Sequence, residues 1–385
     1  VCQTARARTS HISVPIASLE GLAQQAPVKT AKPEQMLQLD GGVMDQIAER
    51  LQSAQRPLFI IGGGGANGGD LSRLSRRAGA MVMTTYAGRG ALDGTDARCL
   101  GACLARPSSA DVIAQADLVV VVGSELSEVD LWRDNLGHTA DMIRVDIDPE
   151  VLVDRHRAEI PIHASAQGFY NDMSNRLDGW ADDKPLVWNL DKLKTQVDTW
   201  RAEVTADRPG IIPVVDALHA VLPKNTTIFS DMTQFAYAAK EVFPMSAPNL
   251  WHHPYGFGTL GYALPAAIGG KIGVGDKPVI AIAGDYGFQY SLQELMVAVE
   301  LDLTLPIIIW DNGKLGEIED SMIRAQIAPN AVIQKNPDFL KLAEAYGCAT
   351  AAPKSLEAFK SAVTTALSAQ GPTVIHVTSD IAQTP

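Results

Sequence analysis

Short apolar runs alternate with longer segments of mixed polarity along most of the chain. The runs at residues 57–61 (PLFII), 81–85, 118–122 (LVVVV) and 142–147 are continuous rather than alternating, as expected of parallel strands covered on both faces. A second set follows at 227–231, 278–283 (PVIAIA), 305–310 (LPIIIW) and 373–377, with a short run at 348–350. Between them, apolar residues fall at helical spacing. Segment 43–54 carries Ile47 and Leu51 on one face, and 291–301 carries Leu292, Leu295, Met296 and Val299. Further helices are expected at 71–80, 111–116, 188–204, 211–221, 260–270, 339–345 and 356–367. This alternation predicts an α/β protein with two doubly wound parallel-sheet domains. An earlier run, 11–19 (HISVPIASL), reads as one strand and a turn, which cannot stand as a domain and so reads as the tail of another. Residues 21–40, rich in Gln, Ala, Pro and Lys, read as a linker, and 164–185 as a short helix and a polar connection. The expected divisions are 1–20, 21–40, 41–180 and 186–385.

The run at 278–283 ends in Gly284-Asp285-Tyr286-Gly287, and the run at 305–310 ends in Asp311-Asn312. Parallel neighbours joined by a helix finish on the same side of the sheet. Asp285 and Asn312 are therefore expected to emerge together at the carboxyl edge, where open α/β sheets bind ligands. A carboxylate and an amide oxygen suit Mg²⁺, which takes about six oxygens and shares them with substrate phosphates. The glycines let a bulky anion approach the backbone, and amides at a helix start favour phosphate. An ordinary strand–helix turn with a capping Asp is the plain alternative.

With Asn312 placed 27 residues after Asp285 (312 − 285 = 27), the stretch resembles the paired GDG and NN motifs of thiamin-diphosphate enzymes. Asp311 departs from it, standing where the first Asn is usual. Residues 255–270 (YGFGTLGYALPAAIGG) are similar to the acetolactate synthase stretch GGLGTMGYGLPAA, and the resemblance extends over nearly the whole chain. It implies thiamin diphosphate and Mg²⁺ as cofactors, with metal ligation at Asp285, Asn312 and Lys314. It implies cofactor contacts at Gly284, Asp285, Tyr286, Gly287, Asn312, Leu315 and Gly316. Thr233 and Gln234 stand where relatives carry a diphosphate-touching turn, with plain helix capping the alternative. The carbonyl of Gly258 is implied as an acceptor for the cofactor's amine, and Leu260 as the apolar wedge that bends the cofactor. His253, with His252, is a candidate proton donor or a structural histidine.

The resemblance also implies decarboxylation of a 2-oxo acid with the thiazolium as electron sink, in a homodimer or homotetramer. It implies a preceding pyrimidine-binding domain, whose final strand 11–19 resembles. That domain supplies a cofactor-activating glutamate, for which this sequence offers no residue. The sequence does not begin with Met and reads as a fragment, expected to be inactive alone. In relatives the middle domain binds FAD, ADP or nothing. Here 62–69 (GGGGANGG) lacks clean GxGxxG spacing with an acid beyond it, so a structural Gly-rich turn is preferred and FAD is the alternative.

Glu317 and Ser321 occupy positions that are Met and Trp in acetolactate synthases. A carboxylate in that wall would suit a cationic substrate tail, as in 5-guanidino-2-oxopentanoate, whose guanidinium could pair with it bidentately. Two alternatives stand beside this reading: acetolactate-synthase-type carboligation of pyruvate, and a non-catalytic cofactor-binding fragment. Glu317, Glu319 and Asp320 also open a helix, where acids stabilise the dipole by ~0.3–1 kcal/mol without any ligand.

Composition narrows the partners. The net charge of −12 argues against nucleic acid and anionic membranes. Cys2, Cys99, Cys103 and Cys348 form no CxxC pair and read as buried or free thiols in a reducing cytoplasm. No apolar run approaches the ~18 residues of a membrane span, and the first residues lack the apolar core of a signal peptide.

Overall fold

The computed structural model describes residues 6, 9, 11–22, 39–333 and 335–383. Most of the expected linker, and Cys2, lie outside the described residues. Two all-parallel sheets organise the rest. The first contains β1 (Pro57–Ile61), β2 (Met81–Thr84), β3 (Leu118–Val122), β4 (Met142–Asp146) and β5 (Ile160–His163), in the order β2-β1-β3-β4-β5. The second contains β6 (Thr227–Ser230), β7 (Trp251–His252), β8 (Val279–Gly284), β9 (Leu305–Asp311), β10 (Ala349–Ala351) and β11 (Pro372–Thr378), ordered β10-β11-β9-β8-β6-β7.

The continuous apolar runs are continuous because both faces are covered. In β1, Phe59 and Ile61 pack into one core and Leu58 and Ile60 into the opposite one. In β8, Ile280 and Ile282 face one layer of helices while Val279, Ala281 and Ala283 face the other. Each buried aliphatic side chain contributes roughly 1.5–3 kcal/mol, which is why these strands lie at the centre of their sheets. The helix Leu190–Asp207 crosses between the two halves, with Leu193 and Trp200 in the first core and Val204 in the second.

Several expectations need correction. Residues 11–15 form no strand. A short helix, Ile16–Leu19, follows, and Ile12, Val14 and Ile16 are exposed. A strand needs a neighbour to satisfy its backbone, and none is at hand among the described residues. The pattern gave no sign of β5 or β7. β5 carries a Pro and buries only alternate residues at its sheet's edge, and β7 has two residues. The helix expected at 260–270 is Ala263–Val274, because Gly258 and Gly261 take left-handed backbone (φ +68° and +82°) and delay its start. The segment 291–301 divides into a tight turn, Leu292–Glu294, and the helix Leu295–Glu300. The helix expected at 111–116 is Ser109–Ile113.

Three cysteines, Cys99, Cys103 and Cys348, are free thiols. Among the described residues no helix is long and apolar enough to cross a membrane.

Candidate cofactor site

β6, β8 and β9 are adjacent, and their carboxyl ends deliver three loops to one edge. Gly284 pairs with Trp310 in the register of β8 and β9, so Asp285 stands beside Asp311 and Asn312 follows immediately. The short helix Asp285–Gln289 begins at once, leaving Asp285 in its first turn. A cavity of about 610 Å³ opens here. Its wall includes Gly284, Asp285, Tyr286 and Gly287 from the β8 end, and Asn312, Lys314, Leu315 and Gly316 from the β9 end. Thr233 and Gln234 line it from the β6 side, Gly258 and Leu260 from the loop before Ala263–Val274, and Glu317 and Ser321 from the helix Gly316–Arg324. His253 and His252 are not among its lining residues and face a separate cavity.

Side chains at this edge are tied together. Asp231, which the sequence reading passed over, is 1% exposed and accepts from the backbone amides of Gly261 (2.9 Å) and Tyr262 (3.1 Å). A Cβ on Gly287 would lie 2.4 Å from its Oδ2, so only glycine fits there. A Cβ on Gly316 would meet Gln234 Oε1 at 2.8 Å. Gln234 therefore braces the wall: it accepts from Asn312 Nδ2 (3.1 Å), and its amine contacts Asp320 (3.2 Å) and Glu317 (3.4 Å). Because its nitrogen is engaged, Asn312 keeps its oxygen for other partners, among them the amide of Lys314 (3.3 Å). The Lys314 side chain pairs with Glu319 and carries a positive charge, so only its carbonyl can serve a cation. Thr233 precedes the helix Gln234–Val242 without capping it through its side chain.

Asp311 is accommodated by partners that sequence spacing could not reveal. His376, two residues before Thr378, the register partner of Asp311 on β11, meets Asp311 Oδ2 at 2.8 Å, and Asn336 Nδ2 donates to Asp311 Oδ1 at 2.9 Å. The same Asn336 nitrogen donates to Asp285 Oδ2 at 2.7 Å. Burial first, and then neighbouring Asp311, push the Asp285 carboxyl up to about 6, while the His376 bond helps hold Asp311 below the usual range. A buried carboxylate beside a second one is an environment that a divalent cation relieves. Among the described residues no three acidic, His or Cys side chains cluster as a closed metal cage. The donor set thus fits Mg²⁺ and a diphosphate, which Asp285, Asn312 and the carbonyl of Lys314 would hold.

The sign of the pH dependence follows. Mg²⁺ must displace the proton that Asp285 retains below about pH 6. Mg²⁺-dependent cofactor uptake should therefore be constant above that pH and weaken about tenfold per unit below it. Titrations of thiamin diphosphate between pH 5 and 8 at fixed Mg²⁺ check this, and a flat profile would contradict it.

Residues 44–173 match the thiamine pyrophosphate enzyme central domain, and residues 231–377 match the C-terminal TPP-binding domain. A Pseudomonas aeruginosa protein named "Probable 2-ketoarginine decarboxylase AruI" is 36% identical over 98% of this chain and 68% of its own length. The chain belongs to the thiamin-diphosphate-dependent enzyme family. Acetolactate synthase isozyme 3 large subunit of Escherichia coli is 27% identical over 80% of the chain and 56% of that protein. Acetolactate synthase of Arthrospira platensis is 26% identical over 87% and 60% respectively. The chain thus spans about two thirds or less of these relatives.

In this thiamin-diphosphate enzyme the Glu317 carboxylate is already engaged. Arg208, at the end of the helix Leu190–Asp207, places Nη2 2.8 Å from Oε1 and Nε 3.4 Å from Oε2. The Ser321 hydroxyl donates to the Glu317 carbonyl at 2.8 Å and receives a bond from Arg324. Both residues line the cofactor cavity while bonded to partners from the chain itself.

In the middle domain the glycines after β1 serve chain packing. A Cβ on Gly62 would lie 2.1 Å from Gly123 O, and one on Gly65 would lie 2.5 Å from Val122 O.

Proposed function

We propose that this chain is the middle and cofactor-binding part of a thiamin-diphosphate- and Mg²⁺-dependent decarboxylase. Its substrate would be a 2-oxo acid with a cationic tail, such as 5-guanidino-2-oxopentanoate. The observation that carries the reading is the fork-on-fork contact between Glu317, on the cavity wall, and a guanidinium, here that of Arg208. A carboxylate already arranged for bidentate guanidinium binding can exchange one guanidinium for another. The identity to a relative named for 2-ketoarginine supports the same choice.

When bound, the thiazolium accepts the electron pair left behind as CO₂ departs. The protein's part is to position. Asp285, Asn312 and the Lys314 carbonyl would hold the metal, and Thr233 with the amides of the helix starts would receive the diphosphate. Leu260 would wedge the cofactor, and Glu317 would fix the substrate's far end. Decarboxylation is redox-neutral, so this reading needs no FAD in the middle domain.

In the native enzyme, CO₂ release from 5-guanidino-2-oxopentanoate and acetolactate formation from pyruvate separate the readings. Acetolactate as the main product would favour the synthase alternative, and no product from either would favour a non-catalytic role. For Glu317→Gln, KM for the guanidino acid should rise about 10- to 100-fold, the value of a charge-assisted bond. Turnover of an uncharged 2-oxo acid should hold within about twofold, since it makes no such bond. An equal loss on both substrates would sink the assignment of Glu317.

A further inference from the structure

A second cavity, of about 230 Å³, lies where the two domains meet. Arg89 lines it from the loop after β2, and Trp251, His252, His253, Tyr255 and Tyr262 line it from the C-terminal domain. It shares no lining residue with the cofactor cavity. Its chemistry is unbalanced. Arg89 is 7% exposed; its Nε donates to Tyr86 O (3.1 Å), its Nη2 reaches Tyr255 Oη (3.4 Å), and its guanidinium lies over Trp251 at 4.7 Å. Its Nη1 is buried and has no acceptor among the described residues. Behind the cavity's tyrosines, Lys240 Nζ lies 4.0 Å from the Tyr86 ring and 5.7 Å from that of Tyr255.

Among the described residues neither cation has a carboxylate within 4.0 Å, although the chain carries a net charge of −12. The two acids whose charge reaches Lys240, Glu241 and Asp130, are engaged elsewhere. Glu241 takes Arg106 at 2.6 and 2.9 Å, and Asp130 takes the Ser127 hydroxyl at 2.8 Å. A buried cation is costly unless paired, so Arg89, with the partly buried Lys240 close by, implies an anion in the cavity.

His253 adds a donor. Trp251 Nε1 donates to Ser230 Oγ at 2.7 Å, and Ser230 Oγ contacts His253 Nδ1 at 2.9 Å. The hydroxyl proton is satisfied if it goes to Nδ1, which places the ring's own proton on Nε2. Nε2 is buried without an acceptor among the described residues, on a residue 8% exposed. Burial, with Lys240 and Arg89 nearby, pushes His253 down to about 3, so the ring stays neutral and carries one proton, which is on Nε2 in that tautomer.

We propose that this interdomain cavity binds a compact oxyanion, a carboxylate or a phosphate, which accepts from Arg89 Nη1 of the middle domain and His253 Nε2 of the C-terminal domain. Lys240 adds attraction from behind the tyrosines. The ligand bridges the domains and so stabilises their docking by binding the folded form alone.

The test uses the full chain saturated with Mg²⁺ and thiamin diphosphate, so that the cofactor cavity is filled. Thermal melts and calorimetric titrations are run with inorganic phosphate in one arm and acetate in the other, each against chloride at equal ionic strength. Saturable stabilisation by phosphate or by acetate supports the site and says which oxyanion it prefers. Arg89→Met should weaken that binding at least about tenfold, the value of one charge-assisted bond, and Arg89→Lys should recover part of it. If Arg89→Met does not fold, Lys240→Met serves, with a several-fold weakening expected. Neither anion stabilising beyond chloride, or equal stabilisation of the wild type and the variant, overturns the proposal.

Discussion

Asp285→Ala removes Mg²⁺-dependent binding of thiamin diphosphate, weakening it by at least about 100-fold, while the protein stays folded. The magnitude follows from the role. Even second-shell partners of a metal ligand cost about 10- to 100-fold in affinity when lost, and a direct ligand costs more. Folding survives because Asp285 contributes little to the empty fold. Its carboxyl is raised to about 6, so in the absence of a cation its burial disfavours the charged form. Removing it also leaves Asn336 with a second acceptor, Asp311 Oδ1. Equilibrium binding of thiamin diphosphate with and without EDTA checks the first half, and a thermal melt of the apoprotein the second. Unchanged cofactor affinity in Asp285→Ala would remove the metal from this edge of the sheet, and with it the proposed chemistry.

Trp200→Ala destabilises the chain by about 3–5 kcal/mol, the range for deleting a large buried aromatic. Trp200 is fully buried, packed into the core under the first sheet with Leu193 and Trp188, and its Nε1 donates to Ser108 Oγ at 2.9 Å. One turn further along the same helix, Val204 is equally buried in the core of the second domain. The helix is therefore a staple with one end in each core, and Arg106 reinforces it by reaching both Asp207 (2.7 Å) and Glu241 (2.6 Å). Truncating Trp200 should do more than open a cavity. Denaturant unfolding should lose its single transition and separate into two, the first domain melting earlier. A loss below about 0.5 kcal/mol, the size of an ordinary surface change, would mean that the helix is not the coupling element.

The fold was legible where burial is two-sided. The runs at 57–61, 118–122, 278–283 and 305–310 are apolar at every position because helices cover both faces, and their shortness and β-branched content mark them as strands. Residues lying on one face or at an edge leave a weaker signal, which is why β5 and β7 escaped notice. At 11–19 an apolar run suggested a strand, but apolarity only permits pairing and does not provide the neighbour.

The sequence by itself determined that Asp285 and Asn312 share an edge, because each directly follows a strand of one strand–helix–strand unit and parallel neighbours must end together. Only the tertiary structure decided what those groups touch. Asn336 and His376 reach Asp311 from 25 and 65 positions away, and Arg208 reaches Glu317 across 109. Such distant partners meet through the crossing of strands and helices, which no local pattern records. So the chain's letters bring a carboxylate and an amide to one edge, while charge balance, from the engaged Glu317 to Arg89 with no carboxylate beside it among the described residues, exists only once the domains have closed on one another.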